Sequence, residues 1–132
     1  MKLLLIDDLA LNGWKSVLEK AIIKNIGKLD VALNSQEAIT KTNGAKYDLI
    51  FLDARLTEDD HLKNEIKELT GFRILKEIRK DFDSNNFSTP IILFTASNKI
   101  WTIDLFKQYG VDSFYTKEHP NDIISKDSSS KN

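Results

Sequence analysis

Apolar residues along this chain fall into two alternating patterns, short solid runs and longer periodic stretches. Lys2 to Asp8 (KLLLIDD), Tyr47 to Asp53 (YDLIFLD) and Pro90 to Thr95 (PIILFT) are apolar almost throughout and end in a carboxylate or a hydroxyl. Too short and too uniform for an amphipathic helix, each predicts a strand buried on both faces. A weaker run, Asp112 to Lys117 (DSFYTK), ends in lysine. Between the runs, apolar positions recur at helical spacing. Trp14, Val17, Leu18, Ala21 and Ile22 predict a helix over Leu11 to Asn25, closed by Gly27. Leu29 to Leu33 predicts a short second strand. Asn34 or Ser35, followed by Gln36, Glu37 and Ala38, marks the capped start of a second helix ending near Asn43-Gly44. Phe72, Ile74, Leu75 and Ile78 share one face of a third helix over Gly71 to Asp81, and Ser84 to Thr89 reads as a polar turn. Ile100 to Tyr109, closed by Gly110, makes a fourth helix before a last strand from Val111 to Thr116.

Strands alternating with helices imply a parallel sheet with right-handed crossovers. Parallel strands would bring Asp7, Asp8, Asp53, Thr95 and Lys117 to one edge of the sheet, where open α/β folds bind ligands. A chain of 132 residues, 41% of them hydrophobic, is long enough for one domain with a sizeable core. The net charge of −1 and the lack of a basic stripe argue against direct nucleic-acid binding. With no cysteine there is neither a disulfide framework nor a thiolate metal site. Met1 leads into an apolar run too short for a signal peptide or a membrane span, so a soluble cytoplasmic protein is expected. There is no internal repeat.

The chemistry follows from residue types. Two adjacent acids ending one strand, with a third acid ending another, form an oxygen-only cluster suited to a small hard cation such as Mg²⁺. A lone carboxylate attacks a phosphorylated donor poorly because two anions repel. A cation and a lysine remove that repulsion. Asp53, at the end of the expected central strand, is the natural nucleophile, and an aspartyl phosphate the natural covalent product. Lys117 can pair with Asp53 and then hold a phosphoryl oxygen, while Thr95 can donate a hydrogen bond to another.

The pair Asp7-Asp8, the YDLIFLD segment, Gly71-Phe-Arg-Ile-Leu-Lys-Glu-Ile-Arg, the Pro90 to Ala96 segment and GVDSFYTK, in that order, resemble a response-regulator receiver domain, the phosphoacceptor module of two-component signalling. The resemblance runs from Lys2 to Lys117. It implies a flavodoxin-like (CheY-like) five-stranded parallel sheet of order 2-1-3-4-5 with helices on both faces, over a domain of residues 1–120. It implies phosphorylation on Asp53 by a sensor histidine kinase or a phosphotransfer protein, with signalling to an output domain or protein partner. It also implies Mg²⁺ held by Asp8, Asp53 and the backbone carbonyl of Arg55, with Asp7 acting through water, and switch positions at Thr95 and Phe114. Such a domain turns over only its own phosphoryl group and is not otherwise an enzyme.

This sequence also departs from the family's pattern. Thr57 stands where the family usually has proline, and Gly71 comes ten residues late, so Thr57 to Thr70 reads as an insertion beside the site. Leu62, Ile66 and Leu69 have helical spacing within it, and both an extra helical turn or lid and a charged loop fit that pattern. Arg55, two residues after the acceptor, either leans over the site or points to solvent. Lys117 is followed by Glu118 instead of proline, which removes the usual reason for a cis peptide. Residues 121–132 hold only Ile123 and Ile124 before a serine-rich polar tail, a helical remnant at most. His61 and His119 lack metal-ligand spacing, Trp14 and Trp101 fall on helical faces where they pack, and Phe114 also fits a plain core position. Two other functions fit parts of the pattern: an interaction module that no longer switches, and an Mg²⁺-dependent aspartyl phosphohydrolase. The second usually has another acid where Arg55 stands, and a cap domain for which this chain has no length.

Overall fold

The five apolar runs form five parallel strands. In the computed structural model, which describes residues 1–20, 27–56, 69–95 and 100–116 (backbone alone at 95 and 100–102), the elements alternate. They are β1 (Lys2–Ile6), α1 (Trp14–Leu18), β2 (Lys28–Ala32), α2 (Ser35–Gly44), β3 (Leu49–Asp53), α3 (Thr70–Ile78), β4 (Ile91–Thr95), α4 (Ile100–Gln108) and β5 (Ser113–Thr116). The sheet order is β2-β1-β3-β4-β5, the flavodoxin-like order that the resemblance implies. Ile6 lies opposite Leu52 and Asp53 opposite Phe94, so one further residue along β1 brings Asp7 beside Asp53.

Alternation along the strands divides the core into two layers. Leu4, Ile6, Ile50, Leu52, Ile91 and Leu93 point to one face, where they pack against Ala38, Phe72, Leu75 and Phe106 of α2, α3 and α4. Leu3, Leu5, Phe51 and Phe94 point to the other, against Ala10, Trp14 and Leu18. The Trp14 ring meets Phe94 edge-on at 5.5 Å, and Phe94 meets Phe51 at 5.3 Å. Trp14 thus packs as its helical position predicts. Each such side chain, fully buried, contributes about 1.5–3 kcal/mol, which makes these two layers the main stabilising force.

Local chemistry sets the element ends, and in several places differs from the pattern-based expectation. Asn34 caps α2, its Oδ1 accepting from the Glu37 amide at 2.8 Å, while Glu37 Oε1 accepts from Leu33 N at 2.8 Å. The first helix starts at Trp14 and not at Leu11. Leu11 belongs instead to a 3-10 turn over Ala10–Asn12, and Gly13 at φ 129° cannot continue a right-handed helix. The expected end of that helix, from Ala21 to Asn25, lies outside the described residues. Tyr47 does not join β3: its amide donates to Asn86 Oδ1 at 2.8 Å and its carbonyl accepts from Thr89 Oγ1 at 3.0 Å, so a loop and not a strand holds it. Helix α3 stops at Ile78, three residues short of Asp81. Gly110, at φ 116°, closes α4 as expected, with Val111 N donating to Phe106 O at 3.0 Å.

The segment before β4 is the polar turn its residues predict, with two of them, Asn86 and Thr89, buried as a polar plug. Asn86, 1% exposed, donates from Nδ2 to the carbonyls of Thr42 and Ala45 at 2.7 and 2.8 Å. Its Oδ1 also accepts from Thr89 Oγ1 at 2.9 Å. Arg79, the residue after α3, ties this plug to the α4–β5 turn. It donates from Nη1 to the carbonyls of Asn86 (2.8 Å) and Phe87 (2.6 Å), and from Nη2 to those of Thr89 (2.8 Å) and Gly110 (2.9 Å). Burial lowers the pKa of this guanidinium, and Asp112 at 3.4 Å opposes the shift.

Because the planar fork is matched to four carbonyls, a lysine cannot replace it. Arg79→Lys and Arg79→Ala are both expected to lower unfolding free energy by about 2–4 kcal/mol, the cost of carbonyls left without donors. Urea denaturation measures this; a lysine variant as stable as the wild type would show that the fork does not matter.

Candidate functional site

Two strand ends and the turns that follow them build the site. After β1, the Asp7 amide donates to Ala32 O of the neighbouring strand at 3.0 Å, so Asp7 still belongs to the sheet. Its Oδ1 accepts from Leu9 N at 2.9 Å and its carbonyl from Ala10 N at 3.1 Å, which turns the chain sharply and leaves Asp8 at the rim. After β3, Ala54 N donates to Phe94 O at 3.3 Å and Arg55 N to Asp53 Oδ1 at 3.3 Å. The carboxylate of Asp53 is therefore directed by its own turn.

These turns bring together Asp7, Asp8 and Asp53, each offering a carboxylate oxygen, with those oxygens all within 4.8 Å of one another. Asp7 is fully buried, Asp53 is 4% exposed and Asp8 is partly exposed. Three hard oxygen donors at this spacing, two of them desolvated, are a donor set for Mg²⁺ or Ca²⁺ and for no soft metal. Buried carboxylates in mutual contact are otherwise costly, so the chemistry of the donor set fits the cation.

The other predicted site residues are distributed as follows. Thr95 ends β4 and pairs with Thr116, which places its backbone at the same sheet edge as Asp53; only its backbone is described. Lys117 follows β5 directly but lies outside the described residues, as do His61, His119, the Lys117-Glu118 peptide and residues 121–132. Arg55 is exposed. Of the expected insertion, Thr57 to Glu68 lies outside the described residues, while Leu69 is buried and Thr70 opens α3. Phe114 is 43% exposed on β5, with Lys107 Nζ of α4 5.4 Å from its ring centre. It is therefore not a core residue here.

One neighbour of the site had no chemical signal in the sequence. Gly71 lies against the backbone of Asp53 and Ala54, its amide donating to Ala54 O at 3.0 Å. The sequence marked it only as the start of a helix and as a glycine of the family's pattern.

With this geometry in view, comparison with known proteins is decisive for the family. The response regulator receiver domain matches residues 3–127, and the chain belongs to that family. It is 28% identical over 131 residues to histidine kinase 5 of Arabidopsis thaliana, covering 88% of this chain and 14% of that much longer protein. A response regulator from Burkholderia pseudomallei, solved with a phosphorylated aspartic acid, calcium ion and citrate, superposes with a TM-score of 0.68 at 18% identity. That match covers 94% of this chain and 64% of the other. The receiver domain of a sensor histidine kinase from Pseudomonas aeruginosa PAO1, solved with a magnesium ion coordinated in its active-site cleft, gives a TM-score of 0.66 at 22% identity over 95% and 91% of the two chains. At those identities the two structures establish the fold. Receiver domains are signalling modules, and among the described residues no helix is long and apolar enough to cross a membrane.

The cluster makes a direct prediction. Calorimetric titration with Mg²⁺ should show binding that weakens on acidification, because protons compete for the ligand oxygens. Asp7→Asn, Asp8→Asn and Asp53→Asn should each cost on the order of tenfold or more in affinity, since each removes one carboxylate oxygen from the cluster. Wild-type affinity in all three variants would place the metal elsewhere.

Proposed function

We propose that this chain accepts a phosphoryl group on Asp53 from a sensor histidine kinase or a phosphotransfer protein, in the presence of Mg²⁺, and relays the event by a change of surface. The observation that carries the reading is the gathering of Asp7, Asp8 and Asp53 at one sheet edge in a member of the receiver family. An Asp53 oxygen attacks phosphorus in line. The bond from phosphorus to the donor's imidazole nitrogen breaks, its electron pair leaves with the nitrogen, and a carboxyl-phosphate anhydride remains. A bound cation would neutralise the charge between carboxylate and phosphoryl oxygens. Asp8, Asp53 and the Arg55 carbonyl would hold it, with Asp7 orienting a coordinated water. Lys117 supplies a second positive charge to the phosphoryl group, and Thr95 a hydroxyl donor. A cytoplasmic location goes with this reading.

The magnitudes describe how the relay works. Phe114 is already more than half covered, so burying the rest of its ring contributes about 1 kcal/mol. The Lys107 contact that would be lost is worth about 0.5–1 kcal/mol. The two nearly cancel, so the position of the ring is decided by whether Thr95 moves toward the phosphoryl oxygens and vacates space beneath it.

Two measurements test the reading. Treated with acetyl phosphate and Mg²⁺, the protein should gain one phosphoryl group by mass, and Asp53→Asn should gain none. Undiminished labelling of that variant at another residue would remove Asp53 from the role, and a wild type that stays unlabelled would favour the non-switching interaction module. In a structure determined with beryllium fluoride, Phe114 should be buried. Lys107→Ala should raise the buried population without any phosphoryl group, and a ring that stays outside in both cases would reject the switch.

A further inference from the structure

We propose that Gly71 is a positioning residue for the acceptor, setting the direction of both the Asp53 carboxylate and the Arg55 carbonyl; the proposal rests on Asp53 being the phosphoacceptor. Helix α3 runs into the site at its second residue. A Cβ at position 71 would collide with the carbonyl oxygen of Asp53 and would lie 2.7 Å from both the Cα and the carbonyl oxygen of Ala54. These are backbone atoms, which cannot swing aside as a flexible side chain can. The same glycine's amide donates to Ala54 O at 3.0 Å, while Ala54 N donates to Phe94 O at 3.3 Å. Ala54 is thus gripped from β4 on one side and from α3 on the other. The peptide that leads into Arg55 inherits that orientation.

Helix α3 has nowhere to retreat. The next residue, Phe72, is fully buried and meets Phe106 of α4 at 5.3 Å, edge to face, and Tyr109 at 5.0 Å. Leu69, just before α3, and Leu56, just after the acceptor turn, are each 2% exposed. A methyl group added at position 71 would therefore be accommodated by the end of β3, where the reacting carboxylate is mounted. Reactions between held groups are sensitive to this kind of displacement, a misplacement of about 1 Å costing on the order of a hundredfold in rate. The requirement for glycine here is one of close approach and not of backbone torsion, since Gly13 and Gly110 are the glycines at positive φ.

Two experiments test this on the whole chain. The first compares Gly71→Ala with Gly110→Ala, a control strained by its φ of 116° and by a Cβ 2.9 Å from Arg79 Nε, at the opposite end of the sheet. Labelling by acetyl phosphate, corrected for folded fraction, should be slower by on the order of tenfold or more in Gly71→Ala, with weakened Mg²⁺ binding by calorimetry, and unchanged in Gly110→Ala. Wild-type labelling by Gly71→Ala, or equal losses in the two variants, overturns the proposal. The second needs no variant and holds if Gly71→Ala does not fold. In the nuclear magnetic resonance spectrum of the wild type, Mg²⁺ should shift the Gly71 amide more than those of Gly27, Gly44 and Gly110, because its acceptor carbonyl adjoins the metal-binding peptide. An unmoved Gly71 amide overturns the proposal. A wild type that takes up no phosphoryl group, while Gly71 shifts with Mg²⁺, overturns the acceptor reading instead.

Discussion

Mutual repulsion among three carboxylates is the constraint around which this fold is arranged. With ligand oxygens no more than 4.8 Å apart, each ionised pair repels by about 3 kcal/mol or more at an effective dielectric of 20. The backbone holds the acids in place, because Asp7 is hydrogen-bonded into the sheet and Asp53 is the last residue of a central strand. The opposing force is the parallel register. Leu3 to Ile6 and Leu49 to Leu52 pair residue by residue, and their side chains alternate into two apolar layers. Slipping by one residue would separate the acids but would also send each strand's side chains to the wrong layer. Hydrophobic burial therefore holds together charges that would otherwise move apart, a tension that a bound cation would lower.

That tension is confined to one end of the sheet, and the opposite end has a different chemistry. There Arg79 and Asn86 join α2, α3, the loop before β4 and the α4–β5 turn through side-chain to main-chain hydrogen bonds. Every buried side-chain donor and acceptor among the described residues has a partner. A base of satisfied hydrogen bonds is rigid, because no alternative arrangement satisfies the same groups. The opposite edge gathers the three carboxylates of Asp7, Asp8 and Asp53. The division gives the strands a fixed end and a responsive end.

How much of this could be read from the sequence depends on the range of the interaction that decides each feature. The three central strands were legible because an apolar run of five or so residues reports burial on both faces whatever surrounds it, the parallel sense because helices alternate with the strands, and the order through the family resemblance. The acids were legible because they terminate those runs, and register alone brings them together. Asn34 as a cap was legible since its partner, Glu37, is three residues away. The roles of Arg79 and Asn86 were not, as their partners lie up to 31 and 44 residues distant, Arg79 reads as an ordinary residue near a helix end and Asn86 as part of an ordinary polar turn. Gly13 broke the first helix against a continuous apolar period, since a single torsion overrides the pattern. Gly71 stood in a segment that carried the family resemblance, yet nothing local reveals that it faces the acceptor's backbone across the segment from Thr57 to Glu68.

The route from the acid cluster to the outer surface then has a definite physical form. Phe94 pairs in register with Asp53 and touches Trp14, Phe51 and Tyr115, while its neighbour Leu93 pairs with Phe114 on the opposite face. Phe114 and Tyr115 are both close to half exposed on the edge strand. Below the sheet, Phe72 follows Gly71 directly and presses on Phe106 of α4 and on Tyr109 just after it. A displacement at the end of β3 therefore meets close-packed aromatic rings on both layers among the described residues. Rings packed at interior density do not compress, so movement is passed outward. On the proposed reading, in which Asp53 takes up a phosphoryl group, the rings of Tyr109, Phe114 and Tyr115, where this packing gives way to exposure, are where the change of charge would reach the surface.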